Sequence, residues 1–245
     1  MAQYLATHRF EIKYYLPPGA EDTVRRLIRP HVVHDPHASG KQGYRYVVRS
    51  VYFDTEDLTF YYEKLDGIKI RKKVRVRTYD PRPADDRVFL EIKRRFNNRI
   101  MKERCPLHYE LLAQAMDGVE GAAAGAALPA VDRRTLNKFR YLLNMDELQP
   151  TVLVVYNREA FVGRDNDRLR VTLDEDVKSI MVREVDELFR NDDFRRVPDT
   201  RTILECKFDD RMPHWMLRMV REVGRSAESI SKYCNSIEAW LGFPG

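Results

Sequence analysis

Apolar and polar residues alternate along much of this 245-residue chain, a pattern typical of strands that bury one face. The alternation predicts strands near residues 8–16, 46–54, 67–79, 87–96, 100–108, 151–162, 167–174 and 202–209. Apolar residues at helical spacing predict helices at 20–29, about 132–144, 212–224 and 228–241. Because strands and helices do not alternate regularly, the pattern predicts an α+β fold with antiparallel pairing.

Residues 113–131 interrupt this alternation. They are rich in Ala and Gly and have no apolar periodicity, a composition typical of a flexible segment. We therefore expect a single domain over residues 1–245 that carries a flexible insertion at 113–131.

The composition is that of a charge-rich globular protein, with 43% hydrophobic and 33% charged residues and a net charge of +5. The three cysteines lie far apart and lack the spacing of a metal site, which is typical of reduced thiols. The first residues lack the apolar core of a signal peptide, and no segment approaches the about 20 apolar residues that span a membrane. The expected location is cytoplasmic, and any work at a membrane would require a membrane-protein partner.

The polar faces of the predicted strands carry most of the chemistry. The strand at 67–79 presents five cations on one face, namely Lys69, Arg71, Lys73, Arg75 and Arg77. The polar faces of the other strands hold Arg9, Glu11 and Lys13; Glu91 and Lys93; Tyr156 and Arg158; Arg168, Arg170, Thr172 and Asp174; and Glu205 and Lys207. An ordinary solvated face mixes both signs of charge, since like charges repel across strands. The recurrence of basic faces on six strands favours one shared, enclosed surface instead.

A sheet curled with these faces inward would form a cationic tunnel, and the helices at 212–224 and 228–241 would cover its apolar outer face. Arg and Lys suit a chain of phosphates, since guanidinium groups bind phosphate oxygens in pairs. The Glu carboxylates suit Mg²⁺ or Mn²⁺, which bridge phosphate oxygens. The pattern therefore predicts phosphoryl chemistry on a triphosphate or a polyphosphate.

Eight short motifs follow one another in a recognisable order. They are RFEIKY (9–14), SVYFD (50–54), VRVR (74–77), LEIK (90–93), YNR (156–158), LRVT (169–172), LECK (204–207) and SKY (231–233). This order resembles VTC (vacuolar transporter chaperone) domains, which are similar to the CYTH-like triphosphate tunnel metalloenzymes, from residue 9 to about residue 240. The resemblance implies an eight-stranded antiparallel β-tunnel with flanking helices and a C-terminal helix at one tunnel end.

The resemblance also implies an activity, namely a polyphosphate polymerase that transfers the γ-phosphate of ATP onto a growing chain with Mn²⁺ or Mg²⁺. The residues implied to bind and act on the triphosphate are Lys13, Arg75, Arg77, Lys93, Arg158, Arg170 and Lys232. Further substrate-binding candidates are Arg9, Lys73, Tyr156, Lys207 and Ser231. Glu205 is the implied metal ligand, with Glu11 and Glu91 as further candidates, and Asp54 is expected to orient a tunnel arginine.

Two other functions remain open on this sequence. The wider superfamily opens with Glu-x-Glu-x-Lys, and Arg9 in the first position here favours polymerisation over hydrolysis. Alternatives are a triphosphate or polyphosphate hydrolase of the same fold and a non-catalytic module that binds polyphosphate or inositol phosphates. Nucleic acid is not expected, because few aromatic residues interleave with the basic ones. The expected ligands are ATP or another triphosphate, pyrophosphate and polyphosphate, and the oligomeric state is left open.

Overall fold

The computed structural model describes residues 9–80, 86–96, 99–116 and 128–242. Its strands are β1 (Arg9–Tyr15), β2 (Val32–His34), β3 (Arg45–Asp54), β4 (Ile70–Tyr79), β5 (Arg87–Phe96), β6 (Arg99–His108), β7 (Gln149–Gly163), β8 (Arg170–Met181), β9 (Arg195–Arg196) and β10 (Ile203–Asp209). Its α-helices are α1 (Glu21–Ile28), α2 (Thr59–Leu65), α3 (Leu112–Met116), α4 (Ala130–Met145), α5 (His214–Glu222) and α6 (Lys232–Leu241).

The insertion predicted at 113–131 lies largely outside the described residues. Its centre, 117–127, is not described, whereas its first residues belong to α3 and its last two to α4. The prediction of a flexible insertion in a single domain stays a prediction.

One antiparallel sheet organises the molecule. Its strand order is β1-β10-β8-β7-β3-β4-β5-β6, and the short strands β2 and β9 pair with β7 and β8. The eight strands of this order are those that the sequence pattern predicts, and the α+β class with antiparallel pairing is confirmed. The two additional strands, of three and two residues, are too short for an alternating pattern to register.

The sheet is curled but is not closed by backbone pairing. β1 and β6 are the two ends of the strand order, and no ladder joins them within the described part of the chain. A hydrogen-bonded ion pair links the two ends of the sheet. Lys93 Nζ on β5 lies 2.9 and 3.0 Å from the two carboxylate oxygens of Glu11 on β1. The tunnel wall therefore has a seam that an ion pair holds together.

The two faces of the sheet differ as the alternation predicts. On the outer face, Val76 and Leu90 pack with Phe139 of α4, and Leu204 packs with Met216 of α5. All five side chains are at most 1% exposed, so this face forms the core between the sheet and its helices. Arg75 and Arg77 of β4 and Lys93 of β5 occupy the alternate positions and therefore point inward.

The C-terminal helix α6 corrects one expectation, because it packs on the inner face of the sheet and not on the outer face. Tyr233 stacks on Tyr52, a residue of the inner face, with ring centroids 5.2 Å apart. Ile237 belongs to the same buried cluster as Val152 and Val154 of β7. The apolar stripe of α6 fills one end of the tunnel, which agrees with the predicted position of a C-terminal helix there.

The helix α6 begins later than the predicted residue 228. Ser231 has an extended backbone, and its side-chain oxygen accepts the N–H of Cys234 at 3.2 Å. A serine in this position satisfies a free N–H of the first turn and therefore marks the helix start. This cap fixes which residues of the SKY motif enter the tunnel. Within the described residues, no helix is both long and apolar enough to cross a membrane.

Candidate functional site

The inner face of the sheet encloses two neighbouring cavities. The first has a volume of about 550 Å³ and is lined by Glu11, Asp35, His37, Tyr46, Arg75, Arg77, Tyr79, Arg87, Phe89, Lys93, Lys102, Arg104, Arg158, Arg170, Thr172 and Lys207. The second, of about 430 Å³, includes Lys13, Lys64, Arg71, Lys72, Lys73, Arg95, Glu228 and Ser231 in its lining. Glu11 and Lys93 line both cavities, so the ion pair at the seam lies where the two meet. Both cavities are strongly basic.

Most of the residues predicted for the site line one of these cavities. The first cavity collects Arg75, Arg77, Lys93, Arg158, Arg170, Lys207 and Glu11, and the second collects Lys13, Lys73 and Ser231. Three others, Tyr156, Glu91 and Glu205, contact residues of the lining, and Lys232 contacts Asp174, which in turn binds Arg158 of the lining. Arg9 begins β1, but its side chain lies outside the part that the structure describes.

A buried carboxylate, Glu91, balances the basic wall of the first cavity. One of its oxygens lies 2.7 Å from Arg75 Nε, and the other lies 2.7 Å from Arg104 Nε and 2.6 Å from Lys102 Nζ. Its side chain is only 1% exposed. Burial alone raises the pKa of Glu91, but Arg75 and Arg77 outweigh it and hold this pKa well below its usual range. Glu91 is therefore an ionised counter-charge, and its contacts favour that role over metal binding.

A second carboxylate, Asp174, joins two of the predicted phosphate ligands. Arg158 donates two hydrogen bonds to it, of 2.6 and 2.8 Å, and Lys232 Nζ lies 2.6 Å from its second oxygen. Burial raises the pKa of Asp174, but the charges of Arg158 and Lys232 outweigh burial and lower this pKa below its usual value. The carboxyl group therefore stays ionised. Arg158 from β7 and Lys232 from α6 are thus held side by side.

Glu11 and Glu205 form a pair of inward-facing carboxylates. They lie on neighbouring strands at diagonal positions, because Glu11 pairs with Lys207 and Lys13 pairs with Glu205. Lys207 Nζ lies 2.7 Å from Glu205 and 3.7 Å from Glu11. Burial raises the pKa of Glu11, but Lys93 and Lys207 outweigh it and keep this pKa well below the usual value.

The pKa of Glu205 follows from its neighbours. Burial and the nearby Glu11 raise it, but Lys207 and Lys13 outweigh them, so the pKa of Glu205 lies below its usual value. Both carboxylates are thus ionised, as a metal ligand must be. Among the described residues, no group of three or more His, Cys, Asp or Glu side chains could hold a metal ion. Two carboxylates nevertheless fit Mg²⁺ or Mn²⁺, since Mg²⁺ usually takes one or two carboxylates, substrate phosphates and water.

Several groups in the tunnel titrate close to neutral pH. Burial raises the pKa of Tyr52, but Arg75, whose Nη1 lies 2.8 Å from the Tyr52 hydroxyl, and Arg77 lower it to about 7. Tyr79 behaves in the same way, with Arg77 and Arg104 lowering its pKa to about 7. Burial lowers the pKa of Lys73 to about 8. The shifts of the two tyrosines indicate an excess of positive charge in the tunnel, which a bound anion would relieve.

A family comparison decides the identity of this tunnel. A family model described as the VTC domain matches residues 8–241. The chain belongs to the VTC domain family. Among curated proteins, no sequence matches it. The VTC domain match covers nearly the whole chain and supports a tunnel-type enzyme that handles phosphoryl compounds and binds triphosphate.

Solved structures with similarity to this VTC domain are distant. The PH1819 protein of Pyrococcus horikoshii OT3 shares 14% identity at a TM-score of 0.47, over 94% of this chain and 98% of that one. A Vibrio parahaemolyticus protein, provisionally named an adenylate cyclase, shares 13% at 0.45, over 91% and 94%. The mimivirus capping enzyme triphosphatase shares 8% at 0.34, over 90% of each chain. Because these scores are low, the assignment depends on the family match.

Several residues of the VTC domain site were not predicted as site residues. Lys102 and Arg104 on β6 contact Glu91 and line the first cavity, and their alternation within 100–108 could have indicated an inward face. Asp174 shares the polar face of Arg170, although its pairing with Arg158 depends on strand register. Asp35 lies in a turn and binds Arg170 through its carboxylate, and no periodic pattern indicates such a residue.

Two expectations about polar residues are corrected. Asp54 does not contact a tunnel arginine among the described residues. Its carboxylate accepts the N–H groups of Phe60 and Tyr61 at the start of α2 and the hydroxyl of Tyr233. Arg168, placed with the inward residues by alternation, precedes β8 and pairs with Asp209 at the surface.

Proposed function

We propose that this VTC domain is a metal-dependent polyphosphate polymerase that transfers the γ-phosphate of ATP onto a growing polyphosphate chain. The observation that carries the proposal is the pair of basic cavities that meet at Glu11 and Lys93. A polymerase must hold a nucleotide on one side of the reacting phosphate and the chain on the other. Two adjoining cation-rich spaces meet that requirement, whereas hydrolysis needs only one.

The arginines of the first cavity would bind the nucleoside triphosphate. Arg75, Arg77, Arg158 and Arg170 all line it, and three strands hold their side chains. Guanidinium forks bind phosphate oxygens in pairs and neutralise the charge that builds on the transferred group. Tyr156 supports this set, because its hydroxyl accepts a hydrogen bond of 3.3 Å from Arg77 Nη2.

The lysines near the junction would hold the reacting end of the phosphate chain. Lys93 lies at the junction, Lys13 and Lys73 line the second cavity, and Lys232 lies beside Arg158. Glu205 and Glu11 would hold Mn²⁺ or Mg²⁺, which would neutralise phosphate charge and polarise a phosphoryl oxygen. Positioning and neutralisation are the main requirements of phosphoryl transfer, and these side chains supply both.

Turnover of ATP tests the proposal directly. The purified protein is incubated with ATP and Mn²⁺ or Mg²⁺, and long phosphate chains are detected on a gel while free phosphate is assayed in parallel. Chains on the gel support the polymerase, and free phosphate without chains identifies a hydrolase of the same fold. Binding of pyrophosphate without turnover under either metal would identify a non-catalytic module.

The variant Glu205→Gln tests the metal role. It should abolish turnover because one of two candidate ligands is lost, while calorimetry should show that metal-free pyrophosphate binding persists. Glu103→Gln is the matched control, since Glu103 pairs with Lys138 of α4 on the outer face of the sheet. If turnover survives Glu205→Gln, the metal assignment is wrong.

A further inference from the structure

Consecutive residues at the start of α6 divide between the tunnel and the protein core. Ser231 lines the second cavity, and Lys232 Nζ lies 2.6 Å from Asp174 inside the tunnel. Tyr233 belongs to the buried apolar cluster, and its hydroxyl donates to the carboxylate of Asp54. Because the first turn of a helix is stiff, the position of Tyr233 sets that of the two residues before it.

The acceptor of this bond, Asp54, is itself fixed. Its side chain is fully buried, and besides Tyr233 it accepts the N–H groups of Thr55 and Phe60 at 2.8 Å each and of Tyr61 at 3.0 Å. Phe60 and Tyr61 lie in the first turn of α2, whose N–H groups lack partners within the helix. The carboxylate thus ties the starts of α2 and α6 together.

The ring of Tyr233 is held on the tunnel side as well. It stacks on Tyr52, and Lys73 Nζ lies 5.7 Å from its centroid. Because these ring contacts are not directional, the hydrogen bond from the hydroxyl to Asp54 fixes the orientation of the side chain. We infer that Asp54 is a positioning residue, which acts through Tyr233 to hold Lys232 in place for phosphate binding.

This inference rests on the proposed function, and a double-mutant cycle tests it separately. Pyrophosphate binding without metal is measured by calorimetry for wild type, Tyr233→Phe, Lys232→Ala and the double variant. Tyr233→Phe keeps the ring and removes only the hydroxyl, so we expect about fivefold weaker binding. In the Lys232→Ala background the same change should have no effect, because the residue it positions is absent.

Tyr14→Phe is the matched control, since Tyr14 is buried and its hydroxyl has no hydrogen-bond partner among the described residues. Asp54→Asn should weaken binding in the same direction, and the tyrosine cycle stands if that variant does not fold. The inference is overturned if Tyr233→Phe binds pyrophosphate as the wild type does. It is also overturned if Tyr233→Phe weakens binding equally with and without Lys232. Neither result affects the proposed function. Absence of pyrophosphate binding by the wild type would overturn the proposed function as well.

Discussion

The variant Glu91→Gln removes a buried negative charge that contacts three basic residues of the first cavity. Arg75, Arg104 and Lys102 each lie within 2.7 Å of its carboxylate, which is 1% exposed. Glutamine keeps the shape of the side chain but leaves Arg75, which is 15% exposed, and the more exposed Arg104 and Lys102 without their counter-charge. Breaking one side of a buried ion pair costs about 3–5 kcal/mol.

This free energy corresponds to a large change in melting temperature. In a domain of this size each kcal/mol shifts the melting temperature by about 2–4 °C, so we expect a fall of roughly 6–20 °C. Glu103→Gln again serves as control, because Glu103 and Lys138 are 21% and 33% exposed and pairs of that kind contribute about 0.2–1 kcal/mol. Differential scanning calorimetry of both variants and the wild type measures the contrast.

The same experiment with pyrophosphate tests the cause. A ligand at 100 times its Kd adds about 2.7 kcal/mol to stability. Because an anion can take the place of the lost carboxylate, pyrophosphate should raise the melting temperature of Glu91→Gln by more than that of the wild type. Two results would refute the reasoning that clustered cations destabilise the empty tunnel. One is a melting temperature of Glu91→Gln equal to that of the control, and the other is a melting temperature that pyrophosphate raises in neither protein.

Two further predictions concern anion binding. Pyrophosphate should raise the lowered pKa values of Tyr52 and Lys73, so binding takes up protons and affinity falls as the pH rises from about 7 to about 9. Calorimetry in buffers of different ionisation enthalpy measures this uptake, and Tyr52→Phe should reduce it; equal uptake by both proteins contradicts the assignment. Arg77→Met should weaken pyrophosphate binding roughly 10- to 100-fold, since a hydrogen bond to a charged group contributes about 1.5–3 kcal/mol. Arg168→Met, at the surface, is its control and should bind as the wild type does.

The fold and the inward faces could be predicted because the information is local. Alternation along a strand assigns Arg75 and Arg77 to one face and Val74 and Val76 to the other, whatever the strand pairs with. The ordered motifs added the family and the tunnel. The roles of individual residues in binding and catalysis stay predictions.

The charge pairing could not be predicted, because it depends on register between strands. Glu91 faces Arg75 across β4 and β5 and Arg104 across β5 and β6, and neither register can be obtained from one strand alone. The position of α6 on the inner face of the sheet could not be predicted from the sequence pattern either. It requires an apolar patch on the inner face, which Val152 and Val154 provide at one end of a strand whose other end carries Arg158.

The seam between β1 and β6 gives this tunnel a freedom that a complete barrel lacks. A barrel closed by continuous backbone ladders keeps a fixed circumference, because widening it breaks several backbone hydrogen bonds at once. Here β1 and β6 share no ladder among the described residues, and the ion pair between Lys93 of β5 and Glu11 of β1 joins the two ends of the sheet through side chains. Release of this contact would let the tunnel widen while every strand ladder stays intact.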